Sequence, residues 1–148
     1  MLRFASDLTF DSGSDVVKPE AKQALSAFSR VLLSPSAANY DVYIEGHTDS
    51  QRISPNTARR HPTNRHLSVH RSISVINELA AMGVPTSRLM AAGWGEHRPR
   101  VPNTPSGNTP ANRRVEIYLT RPKLSSAYAS PSAAPAPAPA RAEPEIIK

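Results

Sequence analysis

Two apolar stripes at helical spacing, separated by an alternating stretch, constrain this chain more than any other feature. Ala21, Leu25, Phe28 and Leu32 recur at i, i+4, i+7 and i+11. That spacing predicts an amphipathic helix over residues 18–33, with Pro19 in the first turn and Ser34-Pro35-Ser36 ending it. Residues 40–46 switch to period two: Val42 and Ile44 face one way, Tyr43 and Glu45 the other, as in a strand. A second helix is expected from an N-cap at Thr63 to about Met82, with Gly83 and Pro85 as its stop. Its core stripe is read as Val69, Ile73, Ile76 and Ala80.

Residues 2–9 are read as a first strand, with Asp11-Ser12-Gly13-Ser14 as a turn. Residues 89–94 form a third strand. Val115, Ile117 and Leu119 alternate with Glu116 and Tyr118 in a last one. Residues 47–62 and 95–111 are expected to be loops. The order β-α-β-α-β-β implies crossover connections and some parallel pairing. The expected fold is α+β: a two-layer sandwich of two helices on one mixed four-stranded sheet.

This unit ends near residue 122. Beyond it, Pro131-Ser132-Ala133-Ala134-Pro135-Ala136-Pro137-Ala138-Pro139-Ala140 cannot sustain a helix ladder and offers little to bury. Residues 123–148 are therefore expected to be a disordered tail. The chain has no cysteine, which excludes disulfides, thiol nucleophiles and cysteine-ligated metals. No apolar run reaches the roughly 18–20 residues that span a bilayer. The first residues lack the pattern of a signal peptide. Any export or anchoring segment is expected upstream, in a longer parent chain.

The net charge is +6, and its distribution matters more than its size. No acidic residue occurs between Ser50 and Asn77, while Arg52, Arg59, Arg60, Arg65 and Arg71 all do. Such a segment attracts nucleic acid, lipid headgroups or acidic wall polymers alike.

Three groups carry possible chemistry. Gly46-His47-Thr48-Asp49 puts a carboxylate at a sheet rim, where it serves either a turn or a ligand. Asn64, Ser68 and Arg71, at i, i+4 and i+7, share a helix face near an N-terminus that favours anions. Their alternative role is a solvated face with Asn64 assisting the cap. Asn112-Arg113-Arg114-Val115 sends two arginines to opposite sides of a strand, one toward the rim or both merely flanking it.

Enzymatic signatures are weak. Ser68 lacks a nucleophile elbow. Gly93-Trp94-Gly95 lacks the third glycine of a dinucleotide loop. His66 and His70 are spaced i, i+4, but Leu67 stands where a His-Glu-x-x-His zinc hydrolase has glutamate. Neither an enzyme, a metal nor a cofactor is expected. A nucleic-acid-binding module built on the arginines of residues 52–71 is the rival function, though no aromatic residues interleave with them.

Taken in order, Phe10-Asp11-Ser12-Gly13-Ser14, Gly46-His47-Thr48-Asp49-Ser50, Asn64…Leu67-Ser68…Arg71…Val75…Leu79, Gly93-Trp94-Gly95, Asn103 and Asn112-Arg113-Arg114-Val115-Glu116-Ile117 resemble the OmpA-like peptidoglycan-binding domains. That family includes the C-terminal domains of outer-membrane protein A, the peptidoglycan-associated lipoprotein and the stator protein MotB, the last being the nearest branch in pattern. The resemblance spans residues 2–119. It implies noncovalent capture of the diaminopimelate in the peptidoglycan stem peptide, in the periplasm or cell envelope. It places the ligand's acid and base partners on Asp49 and Arg71. Accessory roles fall on Asn64 and Arg114, with Val115 contributing backbone; Ser68 shares the helix face. Gly13 stands where some relatives carry an accessory Asn. The implied partners are peptidoglycan, a parent membrane protein or stator complex, and a second copy of the chain.

Overall fold

The computed structural model describes residues 2–5 and 9–122; the segment read above as a disordered tail lies outside them. The elements are β1 (Leu2–Ala5), α1 (Pro19–Leu32), β2 (Asp41–His47), α2 (Pro55–Ala58), α3 (Asn64–Ala81), β3 (Leu89–Gly95) and β4 (Arg114–Thr120). They form an α+β fold in which helices pack on one mixed sheet, ordered β1-β4-β2-β3. The β2–β3 pair is parallel and is joined by the α3 crossover, as a parallel pair requires. β4 runs antiparallel to both β1 and β2. Val42, Ile44, Val115 and Ile117 project from neighbouring strands onto Leu25, Leu32, Val75 and Leu79 of the two long helices.

Both long helices fall within a residue of their expected limits. Thr63 caps α3 by accepting from His66 N–H at 3.3 Å. Two expectations need correcting. Residues 47–62 are not all loop. Ser54 accepts from Thr57 N–H and Pro55 follows at the first helical position, so residues 55–58 close one helical turn.

The buried line of α3 is not Val69-Ile73-Ile76-Ala80. It is Leu67, Ser68, Arg71, Ser72, Val75 and Leu79, with Ile73 41% exposed. Glycine explains the rotation. Gly46 on β2 and Gly93 on β3 have no Cβ, and the backbone of α3 fills that space. An added Cβ at Gly93 would lie 2.5 Å from Ser68 Oγ and 2.6 Å from Val69 N; one at Gly46 would collide with Ser68 O.

Only small side chains fit between helix and sheet at such separation, and their hydroxyls are satisfied there. Ser72 donates to Ala92 O at 2.9 Å, and Ser68 donates to Arg65 O at 2.8 Å while accepting from Gly95 N–H at 3.0 Å. Hydrophobicity alone mislocates this face because its centre is polar.

Candidate binding site

The parallel pair ends where β2 gives way to Thr48, whose N–H donates to Gly95 O at 2.9 Å. The next residue, Asp49, lies beyond the last rung of the ladder, at the carboxyl edge of the sheet. Its carboxylate is fixed by three donors. Oδ1 accepts from Gln51 N–H at 3.2 Å; Oδ2 accepts from Thr109 N–H at 3.0 Å and from Arg113 Nη1 at 2.8 Å. The turn-forming role and the rim position are therefore both realised in one residue.

Arg71 reaches the same region from α3. Its Nε donates to Ser14 O at 2.9 Å and Nη2 to Asp11 O at 3.2 Å, and the guanidinium carbon lies 5.1 Å from the Phe10 ring centroid. These carbonyls orient the guanidinium without cancelling its charge. Asp49 and Arg71 are 4% and 3% exposed, yet both line one cavity of about 410 Å³. They sit deep in its wall, where neighbouring dipoles and low dielectric strengthen contacts to a charged guest. Asn64 joins them at the start of α3, donating from Nδ2 to Gln51 O at 3.1 Å.

Of the residues singled out in the sequence, Asp49, Arg71 and Asn64 line the cavity, while Ser68, Arg114 and Val115 do not. Ser68 is fully buried on the face of α3 that packs against the sheet, and the Val115 side chain belongs to the core. The cavity takes Arg113 instead of Arg114. Arg114 turns inward, donating from Nε to Glu116 Oε1 at 2.7 Å, from Nη1 to Asn112 O and from Nη2 to Arg98 O. Strand alternation had already required the two arginines to part; which one met the rim depended on the register with β2, where His47 faces Arg114.

Gln51, Arg52, Thr57 and Asn108 also line the cavity. They come from loops whose sequence carries no periodic signal. Gly13 adopts φ +66°, and Thr57 Oγ1 stands 2.5 Å from where its Cβ would be. Thr57 of α2 thus occupies the space that an accessory side chain at position 13 would need.

Asn112 is structural. Its Oδ1 accepts from Arg100 N–H and Val101 N–H, and its Nδ2 donates to Val101 O and Asn103 Oδ1. Asn103 Oδ1 in turn accepts from Ser50 N–H at 3.4 Å, beside Asp49. The arginines of residues 52–71 do not form one free basic face: Arg65 donates to Gly93 O, Arg60 pairs with Asp15 at 3.3 Å, and Arg71 is buried.

Next to the cavity, His61 is 2% exposed. Burial, the largest influence, holds its imidazole below the ordinary range; Asp15 opposes this, while His70, Arg60 and Arg71 reinforce it. The unfolded chain then binds a proton at His61 before the folded chain does. The stability this group contributes is present above the ordinary imidazole value and is lost as pH falls through the depressed one. Urea titrations in EDTA at pH 7.5 and pH 5.5 should show lower stability at the acid end, and a shallower drop in His61→Gln. An equal drop in the variant would contradict this assignment.

An OmpA family model matches residues 9–113. YiaD of Escherichia coli is 34% identical over 81% of this chain and 51% of its own length. YtxE of Bacillus subtilis is 32% identical over 80% of the chain and 47% of its own. The chain thus spans about half the length of these curated relatives. Among solved structures, a MotB-like protein from Desulfovibrio vulgaris superposes with a TM-score of 0.71 at 32% identity, covering 81% of this chain and 74% of that one. The peptidoglycan-associated lipoprotein of Burkholderia pseudomallei shares the fold, with a TM-score of 0.61 at 22% identity over 76% and 88% of the two chains.

Proposed function

The chain belongs to the OmpA family, and from that premise we propose that it is a peptidoglycan-binding domain of the cell envelope. In this reading it holds the wall through the diaminopimelate of the stem peptide and anchors a parent membrane protein or complex. The observation that carries the proposal is the convergence of Asp49, Arg71 and Asn64 on one cavity at the sheet's carboxyl edge.

The free end of diaminopimelate carries an ammonium and a carboxylate on one carbon. Asp49 suits the ammonium, which competes with Arg113 for Oδ2. The planar guanidinium of Arg71 suits the carboxylate. The chemistry asked of the site is capture of a zwitterion, which needs fixed charges and no bond making. Two or three charge-assisted bonds of roughly 1.5–3 kcal/mol each, less the cost of immobilising the ligand, correspond to a Kd of about 10 μM to 1 mM. Many copies on a polymeric wall then supply the grip.

The test is co-sedimentation with insoluble walls of two chemotypes. The chain should pellet with diaminopimelate walls at physiological salt and several-fold less with lysine walls, which lack the side-chain carboxylate. Equal pelleting with both, falling only as salt rises, would leave nonspecific charge attraction as the explanation.

A further inference from the structure

Outside the residues that line the cavity, with one of them next to Arg71 in the chain, three potential ligands meet that the wall-binding reading does not use. Asp15 follows the 11–14 turn, His61 follows α2, and His70 lies on α3. One donor atom from each lies within 4.8 Å of the other two. His61 Nδ1 and His70 Nδ1 are 2.7 Å apart, and His61 Nε2 is 3.6 Å from Asp15 Oδ1. We infer that Asp15, His61 and His70 form a binding site for a divalent transition-metal ion of the zinc class.

The donor set supports this. Two imidazoles and one carboxylate suit zinc, with a fourth position left to water, whereas magnesium and calcium prefer all-oxygen sites. A tetrahedral ion with ligand distances near 2.0–2.1 Å needs its donors about 3.4 Å apart. One ligand atom from each residue already lies within 4.8 Å of the other two; because His61 gives an ion only one of its ring nitrogens, closing the set to that spacing takes side-chain shifts of about 1–1.5 Å.

The local contacts leave Asp15 available, while the hydrogen bond between His61 Nδ1 and His70 Nδ1 is a contact that an ion would replace. Asp15 Oδ1 is buried and makes no hydrogen bond among the described residues. Its nearest cation, Arg60 Nη2 at 3.3 Å, belongs to a side chain 71% exposed that can swing into water. His66, one helical turn from His70, is committed elsewhere: its Nδ1 bonds Thr63 Oγ1 at 2.8 Å within the helix cap. Hence the site is not the i, i+4 pair visible in the sequence. It joins Asp15 to two histidines that are themselves nine residues apart, His61 after α2 and His70 on α3.

Those segments also build the cavity. Ser12 and Gly13 precede Asp15, Thr57 precedes His61, and Arg71 follows His70. A bound ion would cross-link them and stiffen the cavity's wall. The inference does not depend on what the cavity binds.

Isothermal titration of Zn²⁺ into the tag-free chain at pH 7.5 tests it, with Co²⁺ absorption as a probe of coordination. The expected result is one saturable equivalent, a tetrahedral Co²⁺ spectrum and a raised melting temperature, with Mg²⁺ inert. His70→Gln and Asp15→Asn should each weaken Zn²⁺ binding by at least tenfold, while His66→Gln binds as wild type. Circular dichroism of each variant without metal confirms folding. Absence of a saturable equivalent in the wild type would overturn the inference. So would wild-type affinity in folded His70→Gln and Asp15→Asn, or loss of binding in His66→Gln alone.

Discussion

Gly46→Ala should cost this domain about 3 kcal/mol of stability, at the upper end of the usual range for overpacking. A single methyl group is not ordinarily so costly in a strand, where alanine is tolerated. Here it would meet the carbonyl of Ser68, a backbone atom inside an 18-residue helix, and Ser72 Oγ at 3.0 Å behind it. The helix cannot yield at one residue without breaking its ladder. It must move away from the sheet as a body, opening the packing of Val75 and Leu79 against Val42 and Ile44. In urea denaturation the midpoint should fall sharply with little change in slope. Trimming Ser72 to Ala should recover little of the loss, because the principal clash is with main chain. Gly83→Ala serves as the contrast. Its added Cβ meets nothing closer than Leu33 Cδ1 at 4.0 Å, so only its φ of +94° is penalised, by roughly 1 kcal/mol. Equal effects at the two glycines would mean that close approach of helix to sheet is not what Gly46 provides.

Asp49→Asn should reduce binding to diaminopimelate walls by roughly 10- to 150-fold, the equivalent of one charge-assisted hydrogen bond of about 1.5–3 kcal/mol. The substitution is chosen over alanine because Asp49 also holds the fold together. Alanine would strand Thr109 N–H, Gln51 N–H and the Arg113 guanidinium together. Asparagine keeps one acceptor for Thr109 and Arg113 and sacrifices the longer bond from Gln51, so its folding cost stays near 1 kcal/mol. Arg71→Lys is the matching change. It keeps the positive charge but loses the planar fork that grips a carboxylate through two parallel bonds, and loses the anchors on Ser14 and Asp11. Binding should fall by at least tenfold there as well. If both variants are folded and pellet with the wall within twofold of wild type, the cavity is not the binding site.

Local signatures marked Asp49 as a carboxylate just past a strand and Asn64 and Arg71 as an amide and a guanidinium seven apart on one helix, but each left a structural alternative open, and only the resemblance to the OmpA-like domains joined the three into one group. Arg113 was not legible, since its neighbour Arg114 has the same side chain and only strand register separates the ladder's inner and outer faces. Ser68 misled for a related reason. It lies on the Asn64–Arg71 face by helical periodicity, but that face passes from open cavity at Asn64 to tight packing at Ser68 within one turn. The same packing displaced Ile73 from the expected core. Thr57 and Asn108 carry no periodic pattern, and α2 is a single turn whose only advance notice is Ser54-Pro55.

Local chemistry along the chain was enough to read the two long helices and the strands that flank them, though not the single turn of α2. Caps, apolar periods and proline positions act over a few residues, and they can be read without knowing what packs against them. The tertiary structure decided which side of each element faces in. It set α3 against Gly46 and Gly93, sent Arg113 out and Arg114 in, and brought Asp15, His61 and His70 together from three segments. Those outcomes depend on the separation between a helix and a sheet, and that distance is set by residues far apart in the sequence.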